Sequence, residues 1–145
     1  MRRIVRKSEA EWREAQDGFP RAVHLMIEPG TAGAEHLAMG TEEVRPLSQI
    51  PLHVNAEAEE ILFVYQGCGR ARVGDEEVEI GPETAIYIPP GTLHGFVNHT
   101  DQPVHLTWTF SPPGEQEKFR ALELWKHIPS ASPSPAGRRE PEAGA

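Results

Sequence analysis

Short stretches of alternating apolar and polar residues dominate the middle of the chain. Residues 104–110, VHLTWTF, place a large apolar residue at every second position, which predicts a strand with one buried face. Residues 59–67, EEILFVYQG, are apolar on both faces of an extended chain. Leu62 and Val64 would lie on one face and Ile61, Phe63 and Tyr65 on the other. We therefore expect this strand to be covered on both sides.

Helical patterns are found only near the ends. Ser8 followed by Glu11 matches a capping box and predicts a short helix over roughly residues 9–16. Farther along, Phe119, Leu122 and Trp125 lie three residues apart, which predicts a second helix over roughly residues 115–127.

Many short strands joined by turns indicate an all-β sandwich or barrel. The 14 prolines and 13 glycines among 145 residues agree with frequent turns. We divide the chain into an N-terminal extension with a short helix (1–20), a β-barrel (21–113), a C-terminal helix (114–128) and a tail (129–145). The tail has almost no large apolar residues, so it is expected to be disordered.

Charge and composition exclude several classes of partner and location. The net charge is −8 and no long Lys/Arg run occurs, so a nucleic-acid partner is not expected. No apolar run is long enough to span a membrane, and the N-terminus lacks the apolar core of a signal peptide. The single cysteine, Cys68, allows no internal disulfide. These features predict a soluble cytoplasmic protein.

Three side chains form a candidate metal site. Glu60 shares the predicted interior face of its strand with Leu62 and Val64. His53 precedes that strand, and His94 begins a later one. Two imidazoles and one carboxylate on neighbouring strands of a barrel suit a first-row transition metal.

The same residues resemble the two sequence motifs of the cupin superfamily. His53-x-Asn55-x4-Glu60-x6-Gly67 resembles the first motif, which normally begins His-x-His. The second motif is matched by the segment from Pro89 through His94 to Asn98. The resemblance covers about residues 43 to 113. It implies a double-stranded β-helix, also called a jelly roll or cupin barrel, which is commonly a homodimer with a divalent metal inside.

The sequence departs from these motifs at two positions. Glu83 stands where the second motif usually begins with glycine, which is expected to reshape a turn. Asn55 replaces a histidine, and an amide oxygen is a weak ligand for a transition metal. If Asn55 does not coordinate, the resemblance leaves His53, Glu60 and His94 as a facial triad with open positions. This ligand set favours iron or manganese over zinc, nickel and copper.

Four further residues are expected to line a pocket beside this site. Phe96 and Asn98 share the face of His94, and Tyr87 lies on the preceding strand. His105 alternates out of phase with the apolar residues of its strand and is a candidate for a polar interior position. For Tyr87 the alternative is a packed core residue, and for His105 it is a structural histidine.

Two functions are consistent with these patterns. The first is a mononuclear non-haem metal enzyme, dioxygenase-like or acting by Lewis-acid chemistry, on a small organic substrate. The alternative is a non-catalytic module that binds or senses a small molecule or a metal. A metal-free sugar-modifying cupin ranks third, because such an enzyme usually needs more basic residues for a nucleotide-sugar.

Overall fold

The computed structural model describes residues 1–129, and the predicted tail from residue 130 onward lies outside them. Within the described residues, the strands form two antiparallel sheets. The larger sheet contains, in spatial order, β11 (Trp125–Ile128), β1 (Glu11–Ala15), β2 (Arg21–Ile27), β3 (Ala38–Val44), β10 (Val104–Ser111), β5 (Glu59–Gln66) and β8 (Thr84–Ile88). The smaller contains β4 (Gln49–His53), β9 (His94–Val97), β6 (Gly69–Val73) and β7 (Glu76–Ile80).

The inner faces of the two sheets enclose the core, and this all-β jelly roll confirms the predicted fold class. In β10 the predicted alternation is confirmed, since Val104, Leu106, Trp108 and Phe110 are all buried. The Trp108 ring lies 5.2 Å from that of Phe119, which joins the C-terminal segment to the core. No helix of residues 1–129 has the length and apolar character needed to cross a membrane.

Strand β5 differs from the expectation that both its faces are covered. Leu62 and Val64 are buried, but Ile61, Phe63 and Tyr65 are 47%, 39% and 41% exposed on the outer face. No other part of the described chain packs over this face, because the second sheet lies on the opposite side. The sequence pattern shows that the outer face of β5 is apolar, but it does not show what covers that face.

The predictions of two terminal α-helices are wrong, because each segment forms a short 3₁₀ helix and a strand instead. A 3₁₀ helix spans Lys7–Glu9, and the rest of the first predicted helix is strand β1. The second begins as a 3₁₀ helix, Glu115–Arg120, and ends as strand β11. Strands β1 and β11 pair with each other in antiparallel register, Trp12 opposite Ile128. This long-range pairing gives both segments backbone hydrogen bonds, on one side only for the edge strand β11, and overrides their local helical patterns.

A close contact between strands depends on Gly40 of β3. A Cβ atom at this position would lie 2.1 Å from the carbonyl oxygen of His24 and 2.4 Å from the indole of Trp108. The absent side chain therefore lets Trp108 lie flat against β3, where its indole nitrogen donates to the carbonyl of Thr41 (3.1 Å).

Candidate metal site and pocket

Three strands bring His53, Glu60 and His94 together inside the barrel. His53 is the last residue of β4 and His94 the first of β9, and the two are opposite each other in the pairing of these strands. Glu60 faces them from β5 in the other sheet. The candidate ligand atoms of the three residues lie within 4.8 Å of one another. Glu60 and His94 are 5% and 2% exposed, so bulk water has little access to the site.

Backbone carbonyls fix the orientation of both imidazoles. The Nδ1 of His53 lies 2.8 Å from the carbonyl oxygen of Pro51, and the Nδ1 of His94 lies 2.8 Å from that of Thr92. A carbonyl only accepts, so in each ring Nδ1 carries the hydrogen and donates it. Each neutral imidazole therefore directs the lone pair of Nε2 away from that carbonyl. The same outer hydrogen bond commonly orients metal-binding histidines.

The facing atoms of this triad suit a cation. His94 Nε2 and Glu60 Oε1 are 3.1 Å apart, and with Nδ1 protonated both atoms are acceptors. A proton or a metal ion must lie between them to make this approach favourable. Burial, together with the charge of Lys118, lowers the pKa of His53 to about 4. His53 is therefore neutral near pH 7, the form that ligates a metal, and the three residues fit a transition-metal ion.

The amide of Asn55 is engaged on both sides. Its Nδ2 donates to Glu60 Oε1 at 2.9 Å, and its Oδ1 accepts a hydrogen bond from Lys118 Nζ at 3.1 Å. A carboxylate requires a donor and an ammonium requires an acceptor, so chemistry fixes this orientation of the amide. Asn55 thus holds the Glu60 carboxylate in place, and the amide oxygen of Asn55 faces Lys118.

A pocket of about 280 Å³ opens beside the triad. The polar residues that line it, besides the triad, come from the terminal segments and from β3: Asp17, Arg21, Glu42 and Lys118. Its apolar walls include Ile50, Leu62, Phe119 and Trp125. Lys118 belongs to a segment whose sequence pattern predicts a helix with no relation to the site. The sequence therefore gave no indication that Lys118 lines the pocket. Glu42 could have been found, because it shares a face of β3 with Ala38 and Val44.

Glu42 is a second buried carboxyl in this pocket. It is 5% exposed, and burial raises its pKa to about 7, with the charge of Glu60 adding to this effect. The guanidinium of Arg21, whose Nε is 3.4 Å from Glu42 Oε2, partly opposes the rise. Glu42 therefore changes its protonation state near neutral pH.

The Glu42→Gln variant is expected to remove a pH dependence of stability. The folded-state pKa of Glu42 lies above its usual value of 4.5, so folding takes up a proton between about pH 4.5 and 7. Stability from this group is complete below pH 4.5 and is lost as the pH rises through 7. At pH 8 the variant should therefore be more stable than wild type by up to roughly 3 kcal/mol, and at pH 4.5 about equally stable.

Urea unfolding of the metal-free protein at several pH values measures this difference. Glu43→Gln is the matched control, because Glu43 is the next residue of the same strand but faces outward. An equal difference between wild type and Glu42→Gln at pH 4.5 and pH 8 would contradict the prediction.

The four predicted pocket residues do not join the triad. Tyr87 is 54% exposed on the outer face of β8, where its hydroxyl donates to Glu59 (2.8 Å). His105 also lies on the outer face, 6.0 Å from the Tyr65 ring. The outward phase of both residues follows from the buried alternation of their strands, Ile88 and Leu106 being the inward neighbours.

Phe96 and Asn98 are buried but serve the structure elsewhere. Phe96 is 1% exposed in the core, where its ring occupies the space beside Gly69. Asn98 donates to the carbonyl oxygens of Val44, Arg45 and Gln102, and these bonds hold the loop after β9. Phe96 and Asn98 thus share a strand face with His94 but lie at other levels along the barrel.

The comparisons of this chain with known proteins agree on one protein family. Residues 40–110 match the sequence model of the cupin domain. An uncharacterized protein of Methanocaldococcus jannaschii is 32% identical over 76 residues, covering 52% of this chain and 61% of that protein. The tetracenomycin polyketide synthase protein TcmJ of Streptomyces glaucescens is 26% identical over 97 residues, covering 67% of this chain and 63% of that protein. The matched segments thus span less than two thirds of these curated relatives.

A solved structure extends the likeness to most of the chain. The polyketide cyclase RemF from Streptomyces resistomycificus superposes with a TM-score of 0.65 and 21% identity, covering 91% of this chain and 89% of that one. At this identity the likeness establishes a shared fold. It includes the terminal segments that complete the larger sheet.

Proposed function

Because the chain belongs to the cupin superfamily, we propose that it is a metal-dependent enzyme acting on a small organic molecule. His53, Glu60 and His94 would hold one divalent transition-metal ion, with iron or manganese preferred. The observation that carries this proposal is the convergence of two imidazole lone pairs and one carboxylate at a buried point. Three protein ligands leave positions open, so a bound metal would supply Lewis-acid or oxygen-activating chemistry there.

The surrounding residues support a reaction rather than metal storage. Asn55 fixes one oxygen of Glu60, while the carbonyls of Pro51 and Thr92 fix the imidazole rings. The adjoining pocket would bind the substrate against its apolar walls and exclude water. Glu42, whose pKa is about 7, can accept or return a proton at neutral pH.

Metal analysis of the purified full chain tests the proposal. After loading with Fe(II) or Mn(II) and desalting, wild type is expected to retain about one metal ion per chain and His94→Ala almost none. His105→Ala is the matched control, because His105 lies on the outer face of the barrel. Metal retained by His94→Ala, or no metal in wild type under any loading condition, would reject the proposed site.

Activity assays then separate an enzyme from a binding module. Oxygen uptake and product formation would be measured with catechols, thiols and β-dicarbonyl compounds. The last group is included because TcmJ is named as a polyketide synthase protein. Metal binding without turnover of any compound would favour the non-catalytic module.

We also propose that the outer face of β5 and β8 binds a second copy of the chain. Its exposed apolar side chains are Ile61, Phe63, Tyr65 and Tyr87. An exposed apolar face can cover itself about a two-fold axis, which is the commonest symmetry of homodimers. By light scattering the full chain should have twice its 16.1 kDa mass, and Phe63→Glu should be monomeric. Val78→Glu, a control on the other sheet, should remain dimeric; a monomeric wild type would refute this arrangement.

A further inference from the structure

The pocket contains a lysine ammonium group, and within the described residues not all of its hydrogen-bond donors have a partner. We propose that Lys118 binds an oxyanion of the substrate, and that the pocket takes a small, largely apolar molecule with one acidic oxygen. A carboxylate and an enolate or phenolate share this chemistry. This inference rests on the proposed function only in taking the pocket as the substrate site.

The contacts of Lys118 support this role. Within residues 1–129 its ammonium makes a single hydrogen bond, to Asn55 Oδ1, although it has three donors. It lies 5.1 Å from the centre of the Phe110 ring and 5.5 Å from that of Phe119. Ring faces attract a cation but accept no strong hydrogen bond. Because Lys118 also lines the pocket, an anionic oxygen there would fill an unused donor position.

The position of Lys118 is fixed by its neighbour along the chain. Arg120 contacts three carboxylates, at 2.7 Å to Glu11, 2.6 Å to Glu28 and 3.0 Å to Glu117. These contacts anchor the 3₁₀ helix to β1 and to the end of β2. Lys118 is therefore held over the pocket before any ligand arrives, which reduces the entropy cost of binding.

The other cation of the pocket already has its counter-charges. Arg21 donates to both carboxylate oxygens of Asp17, at 2.9 Å and 3.0 Å, and its Nε lies 3.4 Å from Glu42. It also stacks 4.9 Å from the Trp125 ring centre. Arg21 thus forms ion pairs with two acidic groups, although its buried Nε makes no hydrogen bond. Among residues 1–129, Lys118 has no carboxylate at ion-pair distance, so Lys118 is the cation with more capacity for an incoming anion.

The remaining walls define the body of the ligand. Leu62, Phe119 and Trp125 provide apolar and aromatic surfaces. A volume of about 280 Å³ is at the lower end of small-molecule sites, which suits a molecule of one ring. Asn55 bonds both to Lys118 and to Glu60, so an oxygen bound at Lys118 would lie next to the proposed metal ligands.

Binding of simple probes to the metal-free full chain tests the inference. Benzoate and 4-nitrophenolate represent the two kinds of oxyanion, and benzamide is the neutral counterpart of benzoate. Titration calorimetry, with the absorbance of 4-nitrophenolate as a second readout, should show tighter binding of at least one anion than of benzamide. Lys118→Met should weaken that binding about 10- to 100-fold and leave benzamide unchanged, because a charge-assisted hydrogen bond is lost.

Two further variants test whether the effect is specific to Lys118 and whether it depends on the positive charge. Lys126→Met removes an exposed lysine of β11 and should bind each probe as wild type does. Lys118→Arg keeps the charge and should bind the anion more tightly than Lys118→Met. Equal anion binding by wild type and Lys118→Met, or no preference of wild type for either anion over benzamide, would overturn the inference.

The outcome is distinct from that of the metal analysis. Lys118-dependent anion binding in a protein that takes up no metal would reject the metal site and keep the oxyanion site. Stoichiometric metal with no effect of Lys118→Met would do the reverse.

Discussion

The Asn55→His variant is expected to bind Fe(II) or Mn(II) about ten-fold more tightly than wild type. In wild type the Asn55 amide reaches within 2.9 Å of Glu60 Oε1, so a side chain at this position borders the proposed metal position. An imidazole would add a fourth protein ligand, and imidazole nitrogen is a better ligand than an amide for such metals. We expect this direct ligand to outweigh the loss of the hydrogen bond from the Asn55 amide to Glu60. Competition against a fluorescent chelator measures the change, with ten-fold corresponding to about 1.4 kcal/mol.

Asn55→Ala provides the opposite case. It removes the hydrogen bond that orients Glu60, and loss of such an outer partner typically weakens metal binding by about 10- to 100-fold. The two variants should therefore differ in opposite directions from wild type. Unchanged affinity in both would mean that neither the position nor the orienting role of Asn55 matters to the metal.

The Gly40→Ala variant is expected to lose about 3 kcal/mol of folding stability, the upper end of the usual cost of overpacking. The new Cβ atom would overlap the carbonyl oxygen of His24 and the Trp108 ring. Trp108 is 1% exposed at the centre of the core, and the carbonyl belongs to the neighbouring strand, so neither can move freely. Overpacking of this kind forces backbone shifts. Thermal and urea unfolding, followed by tryptophan fluorescence, measure the loss.

Gly30→Ala is the matched control for this experiment. No atom lies within 4 Å of the Cβ that alanine would add there, and Gly30 is part of the helical turn Pro29–Ala32. Its stability should therefore be equal to that of wild type or slightly higher. A Gly40→Ala protein as stable as Gly30→Ala would show that the strands have more room than the structure indicates.

The central strands and the candidate metal triad were predictable because local patterns indicate them. The alternation in β10 follows from neighbouring residues. The residue types of His53, Glu60 and His94, and their resemblance to the two cupin motifs, indicated this set before the strand pairing that brings the three together was known. Strand period alone also fixes that Glu60, Leu62 and Val64 point the same way.

The terminal segments were not predictable in the same way. Strand β11 pairs with β1, more than a hundred residues away along the chain, and local periodicity carries no information on such a partner. For the same reason Lys118 was missed, because its bond to Asn55 exists only after the C-terminal segment folds over the barrel. Tyr87 and His105 were expected to line the pocket but lie on the outer face of the barrel. Whether a side chain points into the pocket depends on the phase of its strand as well as on its distance from His94 along the sequence.

The pocket is assembled from two parts of the chain, one inside and one outside the segment that matches the cupin-domain model. Its triad lies within residues 40–110, whereas Arg21, Lys118 and Trp125 lie outside that range. Substitutions in the flanking segments would therefore reshape the walls of the proposed substrate pocket while His53, Glu60 and His94 stay in place.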